Sequence, residues 1–391
     1  MKILLVKACA ESHVYSQFAN SLHGALAELG HESAITDQSI YVANDMVNPA
    51  HLARELQATR FDAVVSFNAL FGATLLANGA SFFDAMGLKF LGWQLDHPIL
   101  APQSRTRQLQ NRYAIYSNPD HLKFARAIKV PGQGISMLPG AEPLQSPAKP
   151  YRSRPWSIFV AATWNGQPEP IWEKSDLSPA KRLLVGVAER LLADEAASLL
   201  DAFNKTSDDL KLGAKFGVDP ALDDQIIDLL RFPFNYFRHL DRINIIQSLA
   251  DSGLPLTICG SGWRDFLGDR GNVVYLDYRV DFKDLNTLYG DAKVVINLNA
   301  DNGACERAIH SAMAGAAVLS DYSEQLAWMF QSPDERAFFN RAKTGDVAEV
   351  AGRLIESDQG ETMAGLGHQR VLEAGLWRHR AARMVECLSA A

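Results

Sequence analysis

The chain has 391 residues, 47% of them hydrophobic, which is material for two cores of ordinary domain size rather than one. A formal net charge of −7 argues against a general nucleic-acid or anionic-membrane binder. Cys9, Cys259, Cys305 and Cys387 are scattered without CxxC pairing, so they give neither a zinc pattern nor a disulfide framework and fit a reducing, cytoplasmic setting. No apolar run reaches the length of a membrane span, and the opening MKILLVKACAESH reads as a first strand and its loop, because charge returns too soon for a signal peptide.

The first strand, residues 2–6, leads through the loop 8–13 into a helix over about 15–30, with Phe18, Leu22, Leu26 and Leu29 on one face. That loop sits where open α/β sheets bind ligands, and it lacks the G-x-G-x-x-G spacing of a dinucleotide site. His13 within it reads as a solvated or helix-capping side chain. Strands over 31–35 and 63–67 bracket a helix over 52–58, and the small and apolar residues of 71–86 predict another helix. The strand 89–93 then runs into Gln94-Leu95-Asp96-His97-Pro98. Asp96 and His97 are either a turn whose Asp bonds backbone amides or a carboxylate and imidazole able to take a hydroxyl proton. Asp120 and His121 open the helix HLKFARAI.

Residues 142–155 shift to Pro, Ser, Lys and Arg without a hydrophobic period and read as a linker, after which 156–162 restarts a strand. The stretch of about 168–235 combines one good amphipathic helix with polar, turn-rich segments and is read as a helical insertion. A helix over 237–251, carrying Arg238 and Arg242, precedes the strand 256–259 and its terminal Gly260-Ser261-Gly262-Trp263. Glycines there let backbone approach a ligand, whereas Trp263 is either a ligand contact or a core residue sealing the loop. Tyr278, after the strand 273–276, reads as a packing aromatic. The strand VVINLN, the turn cluster around Asn299, Asp301, Asn302 and Gly303, and a helix from Cys305 closed by Gly315 form a β-loop-α unit. Its helix N-terminus offers unpaired N–H groups to an anion such as a diphosphate, and Arg307 adds a forked cation. Residues 361–391 read as helical to the end.

ERAIHSAMAGAAVLSDYSEQL, preceded by VVINLN and, farther upstream, by LTICGSGW, resembles the nucleotide-sugar half of GT-B glycosyltransferases. The likeness is to the group-1-like family that includes spore-maturation-type proteins, with weaker matches at Asp96-His97-Pro98, Asp120-His121 and Leu138-Pro139-Gly140-Ala141. The resemblance implies an α/β protein of two Rossmann-like domains facing a cleft. The implied limits are 1–145 on the acceptor side, a linker 146–155, and 156–360 for the nucleotide sugar. Residues 361–391 would supply a last helix returning to the first domain. It also implies donor contacts at Gly260, Ser261, Gly262, Trp263, Tyr278, Asn299, Asn302, Gly303, Ala304, Glu306, Arg307 and His310. His310 stands where many retaining relatives carry the carboxylate that holds the donor ribose, with Glu306 one turn earlier as a substitute.

The chemistry expected from this pattern is transfer of a sugar from a nucleoside-diphosphate donor to a protein, glycan or small-molecule acceptor. The catalytic candidates are Asp96, His97 and His13. The donor is a co-substrate, so no cofactor is expected, and the chain shows no D-x-D or zincin spacing that would call for a metal. Two other readings share the architecture: a nucleotide-sugar epimerase, and a non-catalytic nucleotide-sugar-binding module.

Overall fold

The structure is a computed structural model that describes every residue except 8–12, 37–40, 43–45, 48, 102–106, 145–147, 171–177, 277–280, 299–304, 344 and 391. The chain divides into two units: residues 1–142 with 281–283 and 375–391, and residues 143–280 with 284–374.

Unit one runs β1 (Lys2–Val6), α1 (Val14–Glu28), β2 (Glu32–Ile35), β3 (Tyr41–Val42), β4 (Met46–Val47), α2 (Pro49–Ala58), β5 (Ala63–Phe67), α3 (Phe82–Ala85), β6 (Lys89–Gln94), β7 (Arg112–Tyr116), α4 (Pro119–Ala127) and β8 (Gln133–Ser136). Six of these strands form a parallel sheet in the order β2-β1-β5-β6-β7-β8, and β3 and β4 form a separate antiparallel ribbon. Alternate strand residues feed the two faces. Ile3, Leu5, Val65, Leu91 and Trp93 pack with Phe18, Leu22 and Leu26 of α1, while Leu4, Val6, Val64 and Phe90 pack with Leu52, Leu56, Phe82 and Phe83. This two-sided burial explains the uninterrupted apolar strands, since a parallel sheet exposes neither face.

The helix expected over 71–86 is absent. Asn68, Ala69 and Phe71 have φ of 52°, 51° and 74°, which turn the chain away from helical geometry immediately after β5, and only the four residues of α3 become helical. A Cβ on Gly72 would lie 3.0 Å from the Phe90 ring, so the turn is packed directly on the sheet.

Unit two runs β9 (Trp156–Ala161), α5 (Pro179–Ala193), α6 (Leu199–Asp209), α7 (Pro220–Asp251), β10 (Leu256–Cys259), α8 (Trp263–Leu267), β11 (Val273–Leu276), α9 (Phe282–Gly290, whose first two residues count with unit one), β12 (Ala292–Asn297), α10 (Glu306–Met313), β13 (Ala317–Asp321), α11 (Glu324–Met329), β14 (Ala337–Phe339), α12 (Asp346–Glu356) and α13 (Asp358–Ala374). Its six parallel strands take the order β11-β10-β9-β12-β13-β14, that is 3-2-1-4-5-6 counted from β9. The helices α4, α5 and α7 start at Asn118-Pro119, Ser178-Pro179 and Asp219-Pro220, where a capping side chain precedes a proline whose missing N–H costs nothing. The 32-residue α7 carries Pro233 in its interior and continues from the inserted helices into the Rossmann-like layer without a break.

The expected helix over 361–391 is interrupted. α13 ends at Ala374 within unit two, and a new helix, α14 (Trp377–Ser389), packs in unit one beside α1. Ala141 N–H donates to the Gly375 carbonyl at 2.9 Å and Trp377 N–H to the Ala141 carbonyl at 3.2 Å, so a short parallel bridge pins the turn. Trp377 is buried against Phe18, Phe67 and Trp93. The stretch read as a linker is partly built into unit two: Arg154 donates to the carbonyls of Lys149, Ala292 and Ala314. Among the described residues no helix is long and apolar enough to cross a membrane.

Candidate active site

In an open α/β sheet the binding crevice lies at the carboxyl ends of the strands where the connections change direction. In unit two that point is between β9 and β12. The loop after β9 and the loop after β10 interlock there: Ala162 N–H donates to Cys259 O at 2.9 Å, and Trp164 N–H donates to Ser261 O at 3.0 Å. Gly260 has φ +140°, and a Cβ on it would stand 2.1 Å from Ala162 O; one on Gly262, φ +86°, would stand 2.9 Å from the Trp164 side chain. The two glycines thus admit the neighbouring loop. Trp263 is fully buried and its Nε1–H donates to Ala162 O at 2.8 Å, which makes it the core residue that ties the loops together. Ser261 is exposed at the tip.

Positive charge collects at this edge. Arg242 of α7 donates to Thr163 O at 3.4 Å and lines a small niche with Thr163, Asn165 and His239. Burial and the neighbouring Arg307 and Arg238 guanidiniums push its pKa down to about 10. Burial, Arg242 and Arg238 likewise lower the His239 pKa. Arg307, in the first turn of α10, donates to Leu298 O at 3.1 Å and to the Tyr289 hydroxyl. Among the described residues none of these three arginines makes an ion pair, and Arg238 lies over the Phe234 ring at 5.6 Å. Arg242 is thus repelled by both other guanidiniums, and with Arg307 in the first turn of α10 this edge carries a field suited to an anion.

Beneath them runs a chain of buried polar groups. The Cys305 thiol donates to Asn297 Oδ1 at 2.8 Å, Asn297 Nδ2 to Ser320 Oγ at 2.9 Å, and Ser320 Oγ to Asp321 Oδ1 at 3.2 Å. Burial pushes the Cys305 thiol pKa up to about 12, so it stays protonated as the donor. Asp321 faces Arg341, and burial raises its pKa well above the carboxylate range. His310 is buried, with Nδ1 3.0 Å from Asn286 Oδ1 of α9. Glu306 is half-buried at the start of α10. Tyr278, Asn299, Asn302, Gly303 and Ala304 lie outside the described residues.

The equivalent switch point in unit one lies between β1 and β5, and a second constellation occupies it. Asp96, half-buried after β6, receives Asn68 Nδ2–H at 2.7 Å and the Tyr15 hydroxyl at 3.2 Å, both on Oδ2. His13 is the N-cap of α1: its Nδ1 accepts the Tyr15 N–H at 3.2 Å, and its ring lies 4.5 Å from the Tyr15 ring. That bond puts the proton of the neutral imidazole on Nε2. His97 points elsewhere, being buried with Nδ1 accepting the Ile99 N–H at 3.0 Å and its ring against His121 and Phe124. Asp120 sits in the first turn of α4, capped by Asn118. The structure thus joins Asp96 and His13 through Tyr15 and leaves His97 holding a turn. Tyr15, Asn68 and the Asp321–Arg341 pair carry no local sequence signal, because their partners are remote in the chain.

Two units, each built on a six-stranded parallel sheet with helices on both faces, have the fold seen in GT-B glycosyltransferases. Residues 238–386 match the family described as glycosyl transferase-like, which spans the cation cluster and the whole of the β12-α10-β13 unit. Among solved structures the chain is similar to HepE from Anabaena, solved with UDP and glucose, at 9% identity and a TM-score of 0.55, with all of both chains covered. It is also similar to sucrose-phosphate synthase from Thermosynechococcus elongatus, at 12% identity and a TM-score of 0.54, covering 98% of this chain and 97% of that one. T4 phage BGT, solved with UDP and Mn²⁺, gives 11% identity and a TM-score of 0.53 over all of both chains. A search of curated proteins by sequence finds no match.

Proposed function

We propose that the protein transfers a sugar from a nucleoside-diphosphate donor, bound by unit two, to an acceptor hydroxyl deprotonated by Asp96 of unit one. The observation that carries this reading is the placement of Arg242 and Arg307 beside the N-terminus of α10 at the sheet's switch point. A diphosphate there relieves the repulsion between the guanidiniums and receives charge-assisted hydrogen bonds. The UDP and glucose held by HepE supply a precedent for the ligand class.

In the transfer step the acceptor O–H bond breaks and its proton passes to an Asp96 oxygen. The acceptor oxygen bonds the anomeric carbon while the bond from that carbon to the phosphate oxygen breaks, and the nucleoside diphosphate leaves with the electron pair. Charge growing on the diphosphate is met by Arg242, Arg307 and the α10 amides, the preorganised stabilisation that commonly dominates catalysis. Because fixed cations perform this task, the reading needs no metal.

A thermal-shift screen of nucleoside diphosphates and their sugars, followed by assays of nucleotide release with and without EDTA, tests it. Stabilisation by one nucleotide and EDTA-resistant turnover of its sugar are expected. Binding without turnover of any donor would leave a binding module, and turnover abolished by EDTA would overturn the metal-free step.

A further inference from the structure

The hydrogen bonds around Asp96 close into a ring that uses every polar slot of one side chain. Asn68 Nδ2 gives one hydrogen to Asp96 Oδ2 and the other to the Tyr15 hydroxyl, while Oδ1 accepts the Leu95 N–H at 2.8 Å and the Asp96 N–H at 3.1 Å. The Tyr15 hydroxyl, having accepted from Asn68, must spend its own proton on Asp96 Oδ2. Each hydrogen in the ring therefore has one assignment. Asn68 is buried and holds φ 52°, a left-handed conformation that asparagine tolerates better than most residues, with its N–H on Trp93 O at 2.7 Å. Its placement is fixed from both sides.

The two oxygens of Asp96 are thereby made different. Oδ2 is occupied by two donors, whereas among the described residues Oδ1 receives no hydrogen bond. Tyr15 is itself held by the His13 cap on its N–H, by the His13 ring, and by its stack on Phe67 at 6.4 Å. We infer that Tyr15 and Asn68 are positioning residues that dedicate Oδ2 to the protein and present Oδ1 as the oxygen that takes the acceptor's proton, with His13 orienting Tyr15. This inference rests on the proposed role of Asp96 as base.

Tyr15→Phe removes one donor and keeps the ring stacked; Asn68→Asp keeps the acceptor for the Leu95 and Asp96 amides and removes both donors. Nucleotide release from the nucleotide sugar selected by the thermal-shift screen, with water or an added acceptor, is the readout. Loss of a hydrogen bond to a charged group predicts a fall in kcat of roughly 10- to 100-fold for Tyr15→Phe and a larger one for Asn68→Asp, with donor KM unchanged. In an Asp96→Asn background, adding Tyr15→Phe should cost nothing further, because the oxygen it oriented is no longer a base. An equal fold-loss in both backgrounds, or unchanged kcat in Tyr15→Phe, overturns the inference and leaves the ring a structural clasp. Full activity of Asp96→Asn alone, or no turnover in the unaltered protein, instead brings down the proposed function itself.

Discussion

The Arg341 guanidinium stands 3.5 Å from the Asp321 carboxylate, and each side chain is only about 1% exposed. Arg341 also donates to the carbonyls of Leu191 and Asp194 and lies over the Phe237 ring at 4.7 Å, so one cation joins the end of α5, the middle of α7 and the end of β13. Burial raises the Asp321 pKa, so Asp321→Asn resembles the protonated acid already present, whereas removing Arg341 leaves the Leu191 and Asp194 carbonyls without their donor. Arg341→Met should lower the stability of unit two by roughly 1 to 3 kcal/mol, and Asp321→Asn by less. Denaturant titration of both variants checks the asymmetry; equal losses would mean that packing, not charge, holds Arg341.

Asp241 gives a prediction in pH. Burial raises its pKa to about 6 from an ordinary 3.8, although Arg341 and Arg242 pull it down. The folded chain therefore holds this proton more tightly than the unfolded chain, so the contribution is fully present below about pH 4 and is lost as pH rises through about 6. Asp321 acts in the same direction. Asp241→Asn should be more stable than the unaltered protein at pH 7, by roughly 1 to 3 kcal/mol, and the gap should close near pH 4. A gap independent of pH would show that the carboxyl is not titrating in this range.

Arg242→Gln should weaken binding of UDP, or of whichever nucleoside diphosphate the screen selects, by roughly 1.5 to 3 kcal/mol and flatten its salt dependence. The same change at Arg307 should act similarly. Calorimetry at two salt concentrations measures both. Unchanged affinity in both variants would move the anion site away from the β9–β12 switch point.

What could be read from the sequence follows the distance over which each feature is encoded. The apolar strands and their alternation with helices were legible because a buried parallel strand is written in five or six consecutive residues, as at 63–67 and 294–298. The turn after β5 was not, because the apolar residues of 71–86 fit a helical pattern while the positive φ values of Asn68, Ala69 and Phe71 are imposed by packing on β6. Asp96 stood out by its position at a strand end, but Tyr15 and Asn68 lie 81 and 28 residues from it in the chain. Gly260 and Gly262 were visible as glycines, yet the atoms they make room for belong to residues 162–164.

Trp377→Ala should destabilise unit one by roughly 3 to 5 kcal/mol, the cost typical of emptying a buried aromatic site. The indole closes a cluster with Phe18, Phe67 and Trp93, and Gly140 lies so near that a Cβ there would come within 2.6 Å of the Trp377 backbone. Tryptophan fluorescence and amide exchange in α1 should report the loss, while exchange in β9 and β12 stays unchanged. Protection lost equally in both units would show that the two unfold as one.

The segment 375–389 also sets the order in which the protein can be made. Unit one lacks Trp377, Met384 and Leu388 until that segment is synthesised, although its strand β1 precedes every strand of unit two in the chain. At 5 to 20 residues per second, translating residues 143–374 in between takes roughly 10 to 50 seconds. Through that interval the face of the sheet carrying Ile3, Leu5 and Leu91 lacks part of its cover, while unit two already has its full complement of strands. Unit one can thus complete its core only after the whole of unit two has been synthesised, the reverse of the usual N-terminal-first order.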